Sequence, residues 1–344
     1  MQYRLLGNSG LRVSEVALGT MTFGNDWGWG AAKDEARTLY DVFREAGGNF
    51  IDTANVYTNG TSESFLGEFM QGHRDSIVLA TKYTNATSGN DPNARGNHRK
   101  SMMQAVEASL RRLRTDSIDL YWVHIWDQIT PVEEVMRGLD DLVRQGKVLY
   151  TGISDAPAWW IAQANTLASL RGWTPFVGLQ VEYSLTERSV ERELMPMAKA
   201  LHLGFTAWSP LAGGVLTGKY HGHGSSESAR LSNDAMKQFR PQEERAARVV
   251  AAVKSVAEQT GRSMAQVALA WLRYRPVPVI PILGARKLSQ LQDNLASLDL
   301  ALSPEQLLAL DDASRIELGF PYDMYAKDMV RNFVFGGMRD RILA

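Results

Sequence analysis

The chain of 344 residues contains no cysteine. Disulfides, thiolate metal sites and a cysteine nucleophile are excluded, while reducing and oxidising compartments fit equally well. No G-x-G-x-x-G pattern occurs, so a Rossmann dinucleotide site has no support, and there is no P-loop. No run approaches the roughly 18 apolar residues of a membrane span. The opening MQYRLLGNSG lacks the apolar stretch of a signal peptide, so a cytoplasmic location is expected. A net charge of −1 and a pI near 6.6 give no broad basic field for nucleic acid or anionic lipid. The expected partner is a small molecule. His221 and His223 form an HGH pair among Gly and Ser, but no carboxylate ligand pattern accompanies them, and no metal is expected.

What the chain does have is alternation. Short β-type runs occur at 15–20, 49–54, 77–82, 118–124, 149–153, 177–183, 204–209 and 278–283. Helical spacing separates them, as in Met102, Val106, Leu110 and Leu113, or Val132, Val135, Met136, Leu139 and Val143. Thr130, Pro131 and Glu133 read as an N-cap, a first-turn proline and a capping-box acid, and so do Ser303, Pro304 and Gln306. Near-continuously apolar strands, each followed by a helix, indicate a parallel sheet covered on both faces. Eight such units close into a (β/α)8 TIM barrel, with a doubly wound sheet as the structural rival. Residues 3–13 read as an N-terminal hairpin able to plug the barrel's bottom. The barrel is expected to span 1–314. The C-terminal extension 315–344, rich in aromatics and Met, is expected to pack near the substrate site, with Phe320, Tyr322 and Met324 closing over it. Residues 221–230 read as a loop after the seventh strand.

The residues at the strand ends carry the chemistry. In a closed parallel barrel, the carboxyl ends of the strands face the site built by the βα loops. Asp52 ends the second strand, Lys82 the third and His124 the fourth, each after a run too apolar to leave a charge unpartnered. Asp52 and Lys82 would neutralise one another, and the ammonium would stabilise the phenolate of Tyr57, drawing its pKa down from about 10. A phenol, a lysine and an imidazole around one oxygen suit protonation of a carbonyl that receives a hydride. Taken singly, each residue could be structural: an ion pair, a loop aromatic, a satisfied core histidine. Their convergence on consecutive strand ends favours the functional reading.

The runs FIDTANVYTNGTSESFLG, LATKY, IDLYWVH, GKVLYTGIS, QVEYS, AWSPLAGGVLTGKY and GARKLSQLQDN resemble, in order and spacing, the aldo-keto reductase superfamily. The resemblance runs from about Tyr3 to about Ser314. It implies NADPH bound extended across the carboxyl end of the barrel, a tetrad of Asp52, Tyr57, Lys82 and His124, and Tyr57 as general acid while hydride passes to an aldehyde or ketone carbon. It also implies that Ser154 and Gln180 hold the nicotinamide carboxamide and that Trp208 stacks on the ring. Ser209, Pro210, Leu211, Gly213 and Lys219 would meet the pyrophosphate. Gly284, Arg286 and Gln290 would face the 2′-phosphate and adenosine, with Asp293 and Asn294 at the adenine edge. Asp155 departs from the pattern, which commonly carries Asn or Arg there; a carboxylate can accept from the carboxamide but cannot donate to it. Met21, Trp27, Trp29, Tyr83 and Trp126 are expected on rim loops as an aromatic substrate wall. The same barrel resembles the β subunits of potassium channels, so a cofactor-binding regulatory subunit stands as the alternative to an enzyme.

Overall fold

The computed structural model describes residues 1–85, 89, 91–219 and 243–342. Tyr3–Leu5 (β1) and Arg12–Ser14 (β2) pair antiparallel as the expected hairpin. The barrel strands are Ala17–Gly19 (β3), Phe50–Asp52 (β4), Val78–Tyr83 (β5), Ile118–Val123 (β6), Val148–Ser154 (β7), Phe176–Glu182 (β8), Gly204–Trp208 (β9) and Val279–Gly284 (β10). Each overlaps a run read as strand from the sequence. They close in the order β10-β3-β4-β5-β6-β7-β8-β9, and the parallel pairing of Ile282 with Ala17 joins the last strand to the first. That closure removes the doubly wound alternative, which keeps two open edges.

Side chains alternate between the barrel interior and the helix layer. Val16, Leu18, Ile51, Leu79, Tyr121 and Val123 join the outer core, which takes in the buried faces of the surrounding helices. Met102, Val106, Leu110 and Leu113 are buried on the helix Arg99–Leu113, as their spacing requires. Ala17, Phe50, Val78, Ala80, Leu120, Val177 and Ile280 form the inner core instead, joined by Leu6 and Val13 of the hairpin. Leu6 and Val13 meet the amino ends of the strands, so the hairpin seals that end of the barrel. Gly7 makes the approach possible: its φ is +57°, and an added Cβ would run into the carbonyl oxygen of Val177.

The inner core is dominated by Trp122, fully buried on β6. Room for its indole comes from glycines on the next two strands. A Cβ at Gly152 would overlap the indole ring, and one at Gly178 would lie 2.9 Å from it.

The capping expectations divide. Ser303 accepts from the Gln306 amide and Gln306 reaches back to Ser303, a complete capping box on Pro304–Ser314. Thr130 does not cap. The helix Val132–Arg144 has Pro131 at its N-cap, and the Thr130 hydroxyl donates to Asp127 Oδ2 at 2.6 Å. An acid three residues upstream captured the hydroxyl, a competition that local pattern does not reveal.

Past Ser314 the chain forms Tyr322–Tyr325 and Asp328–Phe335, both largely exposed, with Phe320, Met329, Phe333 and Val334 open to solvent. Its contacts run to the loop after β8, where Arg192 donates to the Glu317 carbonyl at 3.0 Å. Residues 221–230, with His221 and His223, lie outside the described residues. Among the described residues no group of three or more His, Asp or Glu side chains is placed to hold a metal ion. No described helix is long and apolar enough to cross a membrane.

Gly152→Ala should destabilise the protein by about 1–3 kcal/mol, the usual range for overfilling a packed core. Urea unfolding measures this, and Trp122→Leu in the same chain should return part of the loss. Equal stability of Gly152→Ala and the parent would show that the indole does not depend on that gap.

Candidate active site

The carboxyl ends of the strands bring Asp52, Tyr57, Lys82 and His124 together. Asp52 is the last residue of β4 and Lys82 the next-to-last of β5, both buried. Lys82 Nζ donates to Asp52 Oδ2 at 2.5 Å and to the Thr53 carbonyl at 2.8 Å, and it lies 3.3 Å from Tyr57 Oη. Gln180 Nε2 donates to the other Asp52 oxygen at 2.9 Å. Burial, the largest influence on Lys82, works against its ammonium. The charge of Asp52 and the Tyr57 oxygen outweigh it, and the Lys82 pKa stands above its ordinary value.

Tyr57 begins the tight turn Tyr57–Gly60, which the next residue holds in place. Thr58, at φ +46°, donates its hydroxyl to the Phe23 carbonyl at 2.6 Å and accepts the Ser62 amide at 3.1 Å. The Tyr57 ring meets His124 nearly edge-on, with centroids 5.9 Å apart.

His124 follows β6 directly. Burial, then the nearby Lys82 charge, push its pKa well below the ordinary histidine value, so the imidazole is neutral at neutral pH. Asn85 Nδ2 lies 3.1 Å from His124 Nδ1. An amide –NH2 can only donate, so Nδ1 accepts and the ring proton sits on Nε2. Asn85 was absent from the sequence reading, and only its place three residues after Lys82 could have suggested it.

These groups open on a cavity of about 630 Å³. Asp52, Tyr57, His124, Ser154, Asp155, Gln180 and Trp208 line one region of it. Ser209, Pro210, Leu211, Gly213 and Lys219 line it along the loop after β9, and Gly284, Arg286, Gln290, Asp293 and Asn294 line it after β10. Lys82 lies behind Asp52 and Tyr57 and does not itself line the cavity.

The aromatic wall divides. Trp29 lines the cavity with Met21, while Trp27 stands one layer back, 5.9 Å from Trp29 and 6.5 Å from Tyr57 between ring centroids. Trp126 is not a lining residue; it packs edge-on against Trp159 at 5.5 Å, on the helix Ala158–Arg171. Tyr83 is not on the rim. It follows Lys82 on the same strand and so points the other way, stacked on Tyr121 at 5.2 Å in the outer core. No described residue after Ser314 lines the cavity.

Several lining side chains are already engaged. Trp208 Nε1 donates to Asp155 Oδ1 at 3.0 Å. Burial pushes the Asp155 pKa up to about 6, against the opposing pull of the Trp208 bond, the Lys82 charge and Ser154. Gln290 Oε1 accepts the backbone amides of Arg286 and Lys287, at 2.9 and 3.3 Å, which closes the start of the helix Leu288–Leu295. Asp293 accepts from Ser263 at 2.8 Å and Gln266 at 2.7 Å, tying that helix to Met264–Leu272. Ser263, Met264 and Ala265 thereby join the lining, a contribution the sequence reading missed. The signal was present: Ser263 precedes an apolar run with Gln266 three residues on, and Ser263 accepts the Gln266 amide at 3.1 Å.

The loop after β9 suits a phosphate group. Ser209, Ala212, Gly213 and Gly214 all have left-handed φ, between 49° and 96°, so the backbone turns tightly beside the cavity, with the Ala212 and Gly214 amides donating to the Ser209 and Leu211 carbonyls at 2.8 Å. An added Cβ at Gly214 would collide with the Lys219 side chain, so the ammonium lies close against that backbone. Lys219 and Arg286 put positive charge along a cavity whose other region holds the tetrad. That donor set fits an elongated dinucleotide with an anionic middle.

Comparison with known proteins agrees with this geometry. A family model described as the Aldo/keto reductase family matches residues 15–315. Norsolorinic acid reductase of Aspergillus flavus is 41% identical over 330 residues, covering 93% of this chain and 82% of its own length. The NADP(+) aryl-alcohol dehydrogenase of Phanerodontia chrysosporium is 41% identical over 354 residues, covering 96% and 90%. A putative aryl-alcohol dehydrogenase of Saccharomyces cerevisiae is 36% identical over 335 residues, covering 93% and 88%. With the closed barrel, the grouped strand-end residues and a match over nearly the whole chain, the protein belongs to the aldo/keto reductase family of oxidoreductases.

Proposed function

We propose that this chain interconverts an aldehyde or ketone and its alcohol with NADP(H), and that Tyr57 moves the proton. The observation that carries this reading is the Tyr57 hydroxyl at the cavity wall, 3.3 Å from a buried lysine that is itself paired with Asp52. When bound, the dinucleotide supplies the hydride in reduction and accepts it in oxidation. The chain's own residues do the remaining work. Tyr57 donates its proton to the carbonyl oxygen, and the Lys82 ammonium stabilises the phenolate left behind. Asp52 keeps Lys82 charged and in place. The neutral imidazole of His124, its proton on Nε2, donates to the same oxygen and orients it. Ser154 and Gln180 supply polar strand ends for the carboxamide, although Gln180 already gives its amide to Asp52. Arg286 and Lys219 hold phosphate oxygens.

The relatives' names favour a ring-bearing substrate, and so does the wall of Met21, Trp29 and Tyr57, with Trp27 behind it. We infer an aryl or polycyclic carbonyl rather than a small aliphatic one. Oxidation of NADPH over a panel of aromatic and aliphatic aldehydes and ketones, followed by absorbance, tests both statements. No turnover on any of them would remove the enzymatic reading and favour a cofactor-binding subunit.

Tyr57→Phe should lower kcat by about 10²–10⁴-fold, the worth of general acid catalysis, and leave NADPH affinity near that of the parent. Retention of more than about a tenth of the parent kcat would remove Tyr57 from the proton step.

Lys82→Met should be expensive in two ways. It strands a buried Asp52, worth roughly 3–5 kcal/mol of stability, and it shifts the pH profile of alcohol oxidation to higher pH in whatever folds. Lys82→Arg, which retains the charge, should recover stability better than activity. An unchanged pH profile in Lys82→Met would leave Lys82 a structural partner only.

NADPH should bind more tightly than NADH, with Arg286 as the main reason. A guanidinium holds a 2′-phosphate through charge-assisted hydrogen bonds worth roughly 1.5–3 kcal/mol each. Arg286→Ala combined with Lys287→Ala should weaken NADPH by about tenfold to several hundredfold and leave NADH nearly unchanged. Tryptophan fluorescence quenching gives both Kd values, and equal losses for the two cofactors would sink the assignment.

A further inference from the structure

Three carboxylates line the cavity, and they are satisfied differently. Asp52 has Lys82, and Asp293 accepts from Ser263 and Gln266. Asp155 has no ion pair among the described residues. It accepts from the indole N–H of Trp208 and from Ser154, and its backbone stands at φ +43°, a left-handed conformation that Asp tolerates better than most residues. The charges around it do not compensate it. Lys82, from β5, is committed to Asp52; Glu182 of β8 and Glu187 of the following loop border the small cleft on its other side and share its sign. Tyr57 and His124 face the same cavity, and the His124 imidazole is neutral. Among the described residues no cation is paired with this desolvated carboxylate, and only the Lys82 charge, held by Asp52, acts on it from a distance.

We propose that Asp155 is the counter-charge for the oxidised nicotinamide ring, so that the chain holds NADP+ more tightly than NADPH. This rests on the dinucleotide reading above. A hydride donor and Tyr57 act on the two atoms of one C=O bond, so the ring belongs to the same region of the cavity as Tyr57, and that is where Asp155 lies. The reduced ring is neutral and gains nothing from a carboxylate. The oxidised ring carries one positive charge, the pairing Asp155 lacks among the described residues. In carbonyl reduction the hydride takes two electrons to the carbonyl carbon, Tyr57 delivers one proton to the oxygen, and the positive charge left behind falls beside Asp155. By linkage, tighter binding of the oxidised form lowers the reduction potential of the bound couple, by about 30 mV for each tenfold.

Burial holds the Asp155 pKa near 6, which gives the effect a pH window. The carboxylate is ionised above that value and the preference is present; below it the carboxyl is neutral and the preference fades.

The test is the Kd of the whole protein for NADP+ and for NADPH, by tryptophan fluorescence, at about pH 8 and about pH 5, on either side of the Asp155 value. In the parent the preference for NADP+ at the higher pH should be on the order of tenfold larger than in Asp155→Asn. Lowering the pH should bring the parent toward the variant, and the variant's ratio should not respond. Asparagine keeps an oxygen for the Trp208 N–H, so a purely structural role would change both affinities together or neither. Equal ratios in parent and variant at about pH 8 would overturn the proposal while leaving the dinucleotide reading intact. Failure of the parent to bind either form would overturn that reading itself.

Discussion

Everything at the carboxyl end of the barrel depends on the pair made by Lys82 and Asp52. Neither charge is tolerable alone at that depth, since an unpaired buried ion costs several kcal/mol. The pair is completed by the Thr53 carbonyl on one side and the Gln180 amide on the other. Four residues on β4, β5 and β8, or next to them, are thereby fixed at one point. The Tyr57 hydroxyl lies 3.3 Å from that fixed point, and the Tyr57 ring in turn meets His124 edge-on. A charge that had to be neutralised became the reference position for the site.

The two ends of the barrel differ in what fills them. At the hairpin end, apolar side chains fill the space and glycines occur where an indole or a carbonyl needs the room. At the other end Thr58, Asn59, Asp155, Ser209 and Ala212 all adopt left-handed backbone without being glycine. Such positions are disfavoured by order 1 kcal/mol or more and persist only where the surroundings over-determine them. Among the described non-glycine residues only Arg114 and His202 adopt it in the turns that lead into β6 and β9, so such backbone is concentrated, though not confined, at the rim that carries the chemistry.

The barrel and the tetrad were legible because strand runs and their polar ends are local patterns. Asp52, Lys82 and His124 each follow an apolar run directly, and period-two alternation dictates which way they face. The same alternation, applied one residue further, would have turned Tyr83 away from the rim. What stayed hidden depends mostly on partners distant in sequence. Asp293 lines the cavity but also accepts from Ser263 and Gln266, thirty and twenty-seven residues away. Trp126 looks like pocket wall and is claimed by Trp159. Asn85 carries no motif, and its importance appears only once His124 lies 3.1 Å away.

The hairpin that seals the amino end has a mechanical consequence. With Leu6 and Val13 seated against the inner core, that end of the barrel is closed among the described residues. Between that hairpin and the rim the interior is filled by Phe50, Ala80, Leu120 and Trp122. The barrel is therefore a solid pedestal rather than a channel, and a change at Leu6 or Val13 would reach the chemistry only by loosening the packing beneath it.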